Sequence, residues 1–255
     1  MRLHSIETGS GPPVVLLHGL FGAARNFGTV QRALSASFRV LALDARNHGA
    51  SPHAAGMRYG TLAADVLETL DAMDVAGAAV IGHSMGGKTA MRLALLAPER
   101  VARLLVADIA PVAYQHGNLS VAAALRAIPP RPNLTRAAAE AGLTAVVPDA
   151  GVRAFLIQNL QLGPEPHWRI GLEEIAAAIP DLEGWETPSG AYPGPALFVS
   201  GARSDYVLAE HRPMIRALFP ASRFVNVKNA GHWLHADNPA GFLSVVEAFL
   251  HGWKG

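Results

Sequence analysis

The six residues Gly82-His83-Ser84-Met85-Gly86-Gly87 are the first place in this 255-residue chain where residue types and spacing suggest a reaction. They follow the apolar run Ala78 to Ile81 and open a segment with helical spacing, Met85 to Leu96. A serine at a sharp strand-to-helix turn takes up a strained backbone, and glycines two positions to either side remove side chains that would clash there. The hydroxyl then stands exposed. The Met85 N–H faces the same place from a helix N-terminus, where unpaired amides favour negative charge. The same letters also describe a glycine-rich turn that happens to hold a serine; the strand before it and the helix after it favour the reactive reading. A serine hydroxyl is a weak nucleophile at neutral pH and needs a base within hydrogen-bond reach, a role that suits imidazole. Of the eleven histidines, His232 in Gly231-His232-Trp233 occupies a loop between the stretch Arg223 to Val227 and the last helical segment. Its nearest rival is His235, and an H-x-x-H pair without a third ligand makes a poor zinc site. His4, His53, His116, His167, His211 and His251 read as surface or packing residues.

Two further groups complete the chemistry. His18-Gly19-Leu20-Phe21-Gly22 leaves the apolar run Val14 to Leu17 through two glycines, so its amides can turn inward. The Leu20 N–H is the candidate partner of Met85 in holding an oxyanion, with Phe21 the next choice and His18 orienting the loop. Asp108 ends the run Leu104-Leu105-Val106-Ala107, at the carboxyl edge of a sheet, where active sites of open α/β sheets gather. Asp44, Arg46 and His48 form a charged cluster whose expected role is to tie a loop to its neighbours. Lys88, four positions along the helix from Ser84, is expected to point away from the hydroxyl.

These residues need elements to hold them. Val14 to Leu17, Val40 to Leu43, Ala78 to Ile81, Val101 to Ala107 and Ala196 to Val199 are short apolar runs without alternation, the pattern of strands buried on both faces. Between them lie segments such as Thr61 to Val75, whose apolar residues follow the 3.6 period. Alternating strand and helix predict an α/β fold, with a mostly parallel sheet flanked by helices. The rhythm breaks between Pro111 and Pro193. There Leu119 to Ile128, Leu134 to Ala145, Val152 to Leu162 and Leu172 to Ile179 read as successive helices. The expected division is a core of residues 1–110 and 194–255, with residues 111–193 as an inserted helical cap.

Composition narrows the partners. Half of the residues are hydrophobic and 16 % are charged, which excludes a disordered chain, and no apolar run approaches the roughly 20 residues that cross a bilayer. Twenty-one basic against twenty acidic residues give a formal charge of +1, so nothing favours nucleic acid or an anionic membrane surface. The absence of cysteine removes disulfides, thiolate nucleophiles and cysteine-held metals. The first thirteen residues show no secretory signal, and a cytoplasmic location is expected.

Taken in order, His18-Gly19, Asp44-x-Arg46-x-His48-Gly49-x-Ser51, Gly82-x-Ser84-x-Gly86 and Gly231-His232 resemble the α/β-hydrolase family over nearly the whole chain. The strings LDARNHGASPH, GHSMGGKTAM, LLVADIAPV and NAGHWLHADNP resemble its branch of small esterases and abhydrolase-domain proteins, which cleave short acyl esters or thioesters. The resemblance implies a cap inserted after the family's sixth strand, and the absence of the edge strand numbered first. It implies a Ser84-His232-acid triad, an acyl-enzyme, no cofactor and no metal. Much of the family places the acid three residues beyond a glycine after the seventh strand. Here that position is Ser204, and Asp205 follows one place late. Some members carry the acid where Asp108 stands, so Asp108 is the expected acid, with Asp205 the alternative and Glu173 or another cap residue after it. The same scaffold also supports lactonase, cofactor-free haloperoxidase or perhydrolase and carbon–carbon bond hydrolase activity. A rival of another class is a ligand-binding receptor with little turnover, separable by labelling of Ser84 with a fluorophosphonate alongside ester turnover. The expected partner is a small acyl ester or thioester, and the expected state is a monomer or homodimer. Phe155, Leu156, Leu160, Trp168, Ile170, Leu172 and Trp185 are read first as cap core and second as the roof of a small apolar pocket.

Overall fold

A computed structural model describes residues 1–253. The chain opens with β1 (Ser5–Thr8) and β2 (Pro13–Leu17). Then α1 (Gly28–Leu34) leads to β3 (Arg39–Leu43), α2 (Tyr59–Asp71) to β4 (Ala78–His83), and α3 (Met85–Leu96) to β5 (Val101–Ala107). The insertion follows, with α4 (Asn118–Arg126), α5 (Arg136–Gly142), α6 (Ala150–Ile157), the short strands β6 (Leu160–Gln161) and β7 (His167–Trp168), and α7 (Leu172–Glu183). The chain returns through β8 (Ala196–Gly201), α8 (Arg212–Leu218), β9 (Ser222–Val227), α9 (Leu234–Asp237) and α10 (Pro239–Leu250).

Seven strands form one sheet in the order β1-β3-β2-β4-β5-β8-β9, parallel except for β1, which runs antiparallel to β3. The apolar runs lack alternation because both faces are covered. Val15, Leu17, Val80, Leu104 and Val106 enter the core beneath α2, α3 and α8, and Val14, Leu16, Ile81, Leu105 and Ala107 enter the core beneath α1 and α10. The edge strand β1 was not readable as an apolar run because Ser5-Ile6-Glu7-Thr8 holds one apolar residue and is only partly buried.

The connections reverse direction between β2 and β4: the first crosses to β3 on one side, the second to β5 on the other. A reversal of this kind opens a crevice at the carboxyl edge of an α/β sheet. The loops that leave β2 and β4, at His18–Gly22 and at Ser84, therefore emerge side by side.

In the insertion, the periodicity predicts one helix over residues 152–162, but α6 ends at Ile157. Leu160 and Gln161 pair with Trp168 and His167 in an antiparallel ladder, turned by Gly163 at φ +122° and by Pro164 and Pro166. The last of these helices runs past Ile179, through Pro180, to Glu183. Leu125, Leu143, Ile157, Ile170 and Ile175 form a cluster with Tyr59, Leu62 and Met85 of the sheet domain, so the insertion packs on the carboxyl edge. Among the described residues, no helix is long and apolar enough to cross a membrane.

The segment after β3 is fastened by a buried ion pair. Arg46 donates to both carboxylate oxygens of Asp65 on α2, at 2.6 and 2.7 Å, and to the carbonyls of Gly56 and Ala55 at 2.7 and 3.2 Å. Replacing only the arginine leaves a buried carboxylate and two carbonyls without these donors. Arg46→Met is expected to lower unfolding stability by about 3 kcal/mol, read from the urea midpoint at constant m-value. A change below about 0.5 kcal/mol would show that the pair does not hold this segment.

Candidate active site

Ser84 sits between β4 and α3 with φ +53° and ψ −118°, a conformation that L-residues rarely adopt. Its N–H donates to the Ala107 carbonyl at 3.0 Å, and its carbonyl accepts from Lys88 N–H at 3.0 Å, so both ends of the turn are tied. The flanking glycines are required by contact. A Cβ on Gly82 would overlap the Gly86 carbonyl, and one on Gly86 would overlap the carbonyls of Leu17 and His18.

The structure brings Ser84, His232 and Asp108 into one line of hydrogen bonds. His232 Nε2 lies 3.0 Å from Ser84 Oγ, and His232 Nδ1 lies 2.8 Å from Asp108 Oδ2. With Nδ1–H donated to the carboxylate, the Nε2 lone pair faces the serine hydroxyl. Asp108 is 0 % exposed, and its carboxylate also accepts from Gly201 N–H at 3.0 Å and from the Ser204 hydroxyl. Neither alternative acid reaches the imidazole. Asp205 is exposed and makes no hydrogen bond to His232, while Glu173 is exposed and pairs with Arg126 at 2.7 Å.

The imidazole is held from three sides. Tyr206 stacks on it with ring centres 3.7 Å apart and planes 19° from parallel, and Trp233 meets it edge-on. Behind it, His83 is buried, which lowers its pKa well below the ordinary value and leaves it neutral. Its Nε2–H donates to the His232 carbonyl at 2.8 Å. His235, the rival base, packs half-buried against Phe27 and His83, and desolvation lowers its pKa to about 4.

The two candidate oxyanion donors are unspent. Among the described residues, neither Leu20 N–H nor Met85 N–H meets an acceptor within the protein, and both residues line the cavity above Ser84. Phe21 N–H, the next choice, is consumed by His48 Nε2 at 3.1 Å. The loop is shaped by two buried histidines. His48 gives Nδ1–H to the Arg46 carbonyl at 2.9 Å; His18 gives Nδ1–H to the Gly19 carbonyl at 2.7 Å and accepts Ala45 N–H at Nε2, 3.0 Å away. Burial lowers both pKa values, that of His48 to about 3, so each ring is neutral and its tautomer follows from its bonds. Asp44 anchors the same region by accepting from Ala24 N–H, Ala50 N–H and His4 Nδ1 at 2.7 to 2.9 Å.

The cavity reaches from Ser84 to the insertion, where Val121, Val152, Phe155, Leu156 and Leu182 form an apolar wall. Of the insertion residues considered for a roof, Phe155 and Leu156 line this cavity, while Leu160, Ile170 and Leu172 are buried in the packing behind them. Lys88 lines the same cavity but makes no hydrogen bond to Ser84: its Nζ donates to the carbonyls of Glu183 and Gly184. His83, Ser204 and Tyr206 were not signalled as site residues. The only cue was Ser204, at the family's usual acid position, three places after Gly201.

A family sequence model described as alpha/beta hydrolase fold matches residues 12–239. The chain is 42% identical over 250 residues to a protein of Xenopus tropicalis named sn-1-specific diacylglycerol lipase ABHD11, covering 94% of this chain and 78% of that one. It is 37% identical over 240 residues to Esterase YbfF of Escherichia coli, covering 94% and 93%. Among solved structures, one titled marine microorganism esterase superposes with a TM-score of 0.94 at 35% identity, over 98% of this chain and 100% of that one. With the sheet order, the turn at Ser84 and these matches together, the chain belongs to the α/β-hydrolase family.

Proposed function

We propose that the protein is a serine hydrolase that cleaves small acyl esters or thioesters. One observation carries this: the continuous hydrogen-bonded line from Asp108 through His232 to Ser84, ending at a cavity with two unspent amide donors. The names of the relatives, esterase and diacylglycerol lipase, support the same class of reaction. His232 Nε2 takes the proton of Ser84 as Oγ attacks the acyl carbon. Asp108 keeps the imidazole in the required tautomer and stabilises its cation. The N–H groups of Leu20 and Met85 receive the oxyanion of the tetrahedral intermediate. His232 then returns the proton to the departing alcohol or thiol, and water repeats the cycle on the acyl-enzyme to release the acid. Residues 111–193 act as the cap over this site, with Val121, Val152, Phe155 and Leu156 against a short acyl chain.

Ser84→Ala is expected to lower kcat/KM for p-nitrophenyl butyrate by about 10⁴-fold or more and to abolish labelling by a fluorophosphonate, with the circular dichroism spectrum unchanged. Retained turnover and labelling at another residue would remove Ser84 from the reaction.

The acid is tested by comparing two substitutions. Asp108→Asn is expected to lower kcat by about 10⁴-fold, since an amide no longer holds the right imidazole tautomer, whereas Asp205→Asn stays within about twofold. The reverse ranking would move the acid to Asp205. Ser204→Ala, which removes one donor to the Asp108 carboxylate, is expected to cost about tenfold in kcat/KM.

A further inference from the structure

Lys88 is 1 % exposed, on α3, one turn beyond Ser84. Its Nζ donates to the carbonyls of Glu183 and Gly184, at 3.2 and 2.7 Å, where α7 ends. It also stands 4.9 Å from the centre of the Tyr114 ring and 5.4 Å from that of Tyr59. Helix-terminal carbonyls and aromatic faces attract a cation, but none of them carries a full negative charge. Buried ammonium groups are ordinarily paired with a carboxylate. The nearby carboxylate, Glu183, instead accepts from the main-chain and side-chain N–H groups of Asn118 at 3.3 and 2.9 Å, and it forms no ion pair with Lys88. An ammonium has three donors. Among the described residues two have acceptors, the third has none, and Lys88 is one of the residues that line the cavity holding Ser84.

We propose that Lys88 is a specificity-determining residue that favours esters carrying a carboxylate beyond the scissile bond. The proposal rests on the reading of Ser84 as nucleophile and deepens it by naming a substrate class. Tying α7 to α3 is the structural part of what Lys88 does. Donating a charge-assisted hydrogen bond to a substrate carboxylate is the selective part, and such bonds are roughly twice as strong as neutral ones. A wholly apolar ester makes no use of it.

The test measures kcat/KM for two matched pairs of esters. Ethyl hydrogen glutarate is set against ethyl pentanoate, with the carboxylate on the acyl side. The 3-(butyryloxy)propanoate anion is set against propyl butyrate, with the carboxylate on the alcohol side. Lys88→Met loosens the α7 attachment for both members of a pair, so the ratio within a pair isolates recognition. The ratio of charged to neutral ester is expected to fall by about tenfold or more in Lys88→Met, in whichever pair places its carboxylate at Lys88. Ratios unchanged in both pairs overturn the proposal while leaving Ser84 in its role, whereas Ser84→Ala silences all four esters.

If Lys88→Met does not fold, the wild-type pH profile decides. Burial pulls the Lys88 pKa down to about 7. Of the titratable groups facing it, burial raises Tyr59 on α2 and Tyr114 after β5, and lowers His116 on that same segment; Glu183 is the carboxylate held by Asn118. Lys88 therefore carries its charge below about pH 7 and loses it above, while any pH effect common to both esters cancels within each ratio. The preference for the charged ester is expected to fall as pH rises from about 6 to about 9. A preference constant over that range, or no preference at all, overturns the proposal.

Discussion

The site depends on how closely the first turn of α3 approaches the end of β2. β2 and β4 are neighbours in register, with Leu16 opposite Ile81 and Leu17 opposite Gly82, so the two loops that leave them start one strand spacing apart, about 4.8 Å. Gly86 rests directly against the carbonyls of Leu17 and His18. Any side chain there would push α3 away from β2 and separate the Met85 N–H from the Leu20 N–H. The geometry that can hold an oxyanion is thus set by sheet spacing and by one glycine contact, before any catalytic side chain is considered.

Three non-glycine residues around this point have positive φ: Phe21 at 59°, Ser84 at 53° and Asp108 at 53°. Conformations of this kind cost about 1–3 kcal/mol each and persist only where the surroundings over-determine them. The sheet does so here. Ser84 N–H bonds the Ala107 carbonyl and Asp108 N–H bonds the Val199 carbonyl at 2.8 Å, which carries the parallel ladder one residue past the strand ends. Phe21 is pinned at both backbone polar groups, its N–H by His48 and its carbonyl by Asn159 Nδ2 at 2.7 Å. The two residues whose side chains end the relay are therefore backbone extensions of the central sheet.

Much of this was legible in the residues alone, for identifiable reasons. Strands covered on both faces print as unbroken apolar runs, and a serine between glycines at a strand-to-helix junction is a local pattern, so both could be located without knowing which strands pair. The acid is less plain: Asp108 is the first choice, yet no local pattern sets it apart from Asp205. Asp108 and Asp205 each follow a strand end, and what separates them is that β5 and β8 are neighbours, which turns Gly201 N–H and Ser204 Oγ onto Asp108 and leaves Asp205 in solvent. Lys88 makes no bond to Ser84, but its bonds to the carbonyls of Glu183 and Gly184, 95 and 96 positions away, had no signal in the sequence. His83 and Tyr206 act on His232 through a carbonyl bond and a ring face, contacts across 149 and 26 positions of sequence that no local pattern announces.

The insertion is joined to the site more tightly than a loose cover would be. Tyr59 OH donates to the Leu182 carbonyl at 2.5 Å, Lys88 binds the next two carbonyls, and Gly171 N–H bonds the Asn47 carbonyl at 2.9 Å. Asn159, between α6 and β6, bonds the carbonyl of Phe21, one residue beyond the Leu20 donor. A displacement of α6 must therefore either break the Asn159 bond or carry the Leu20 loop with it. On α6 itself, Phe155 meets Trp233 with ring centres 4.4 Å apart. Aromatic contacts tolerate sliding in a way that hydrogen bonds to carbonyls do not. The Asn159 bond therefore fixes the seat of α6, and the Phe155–Trp233 contact follows from that position.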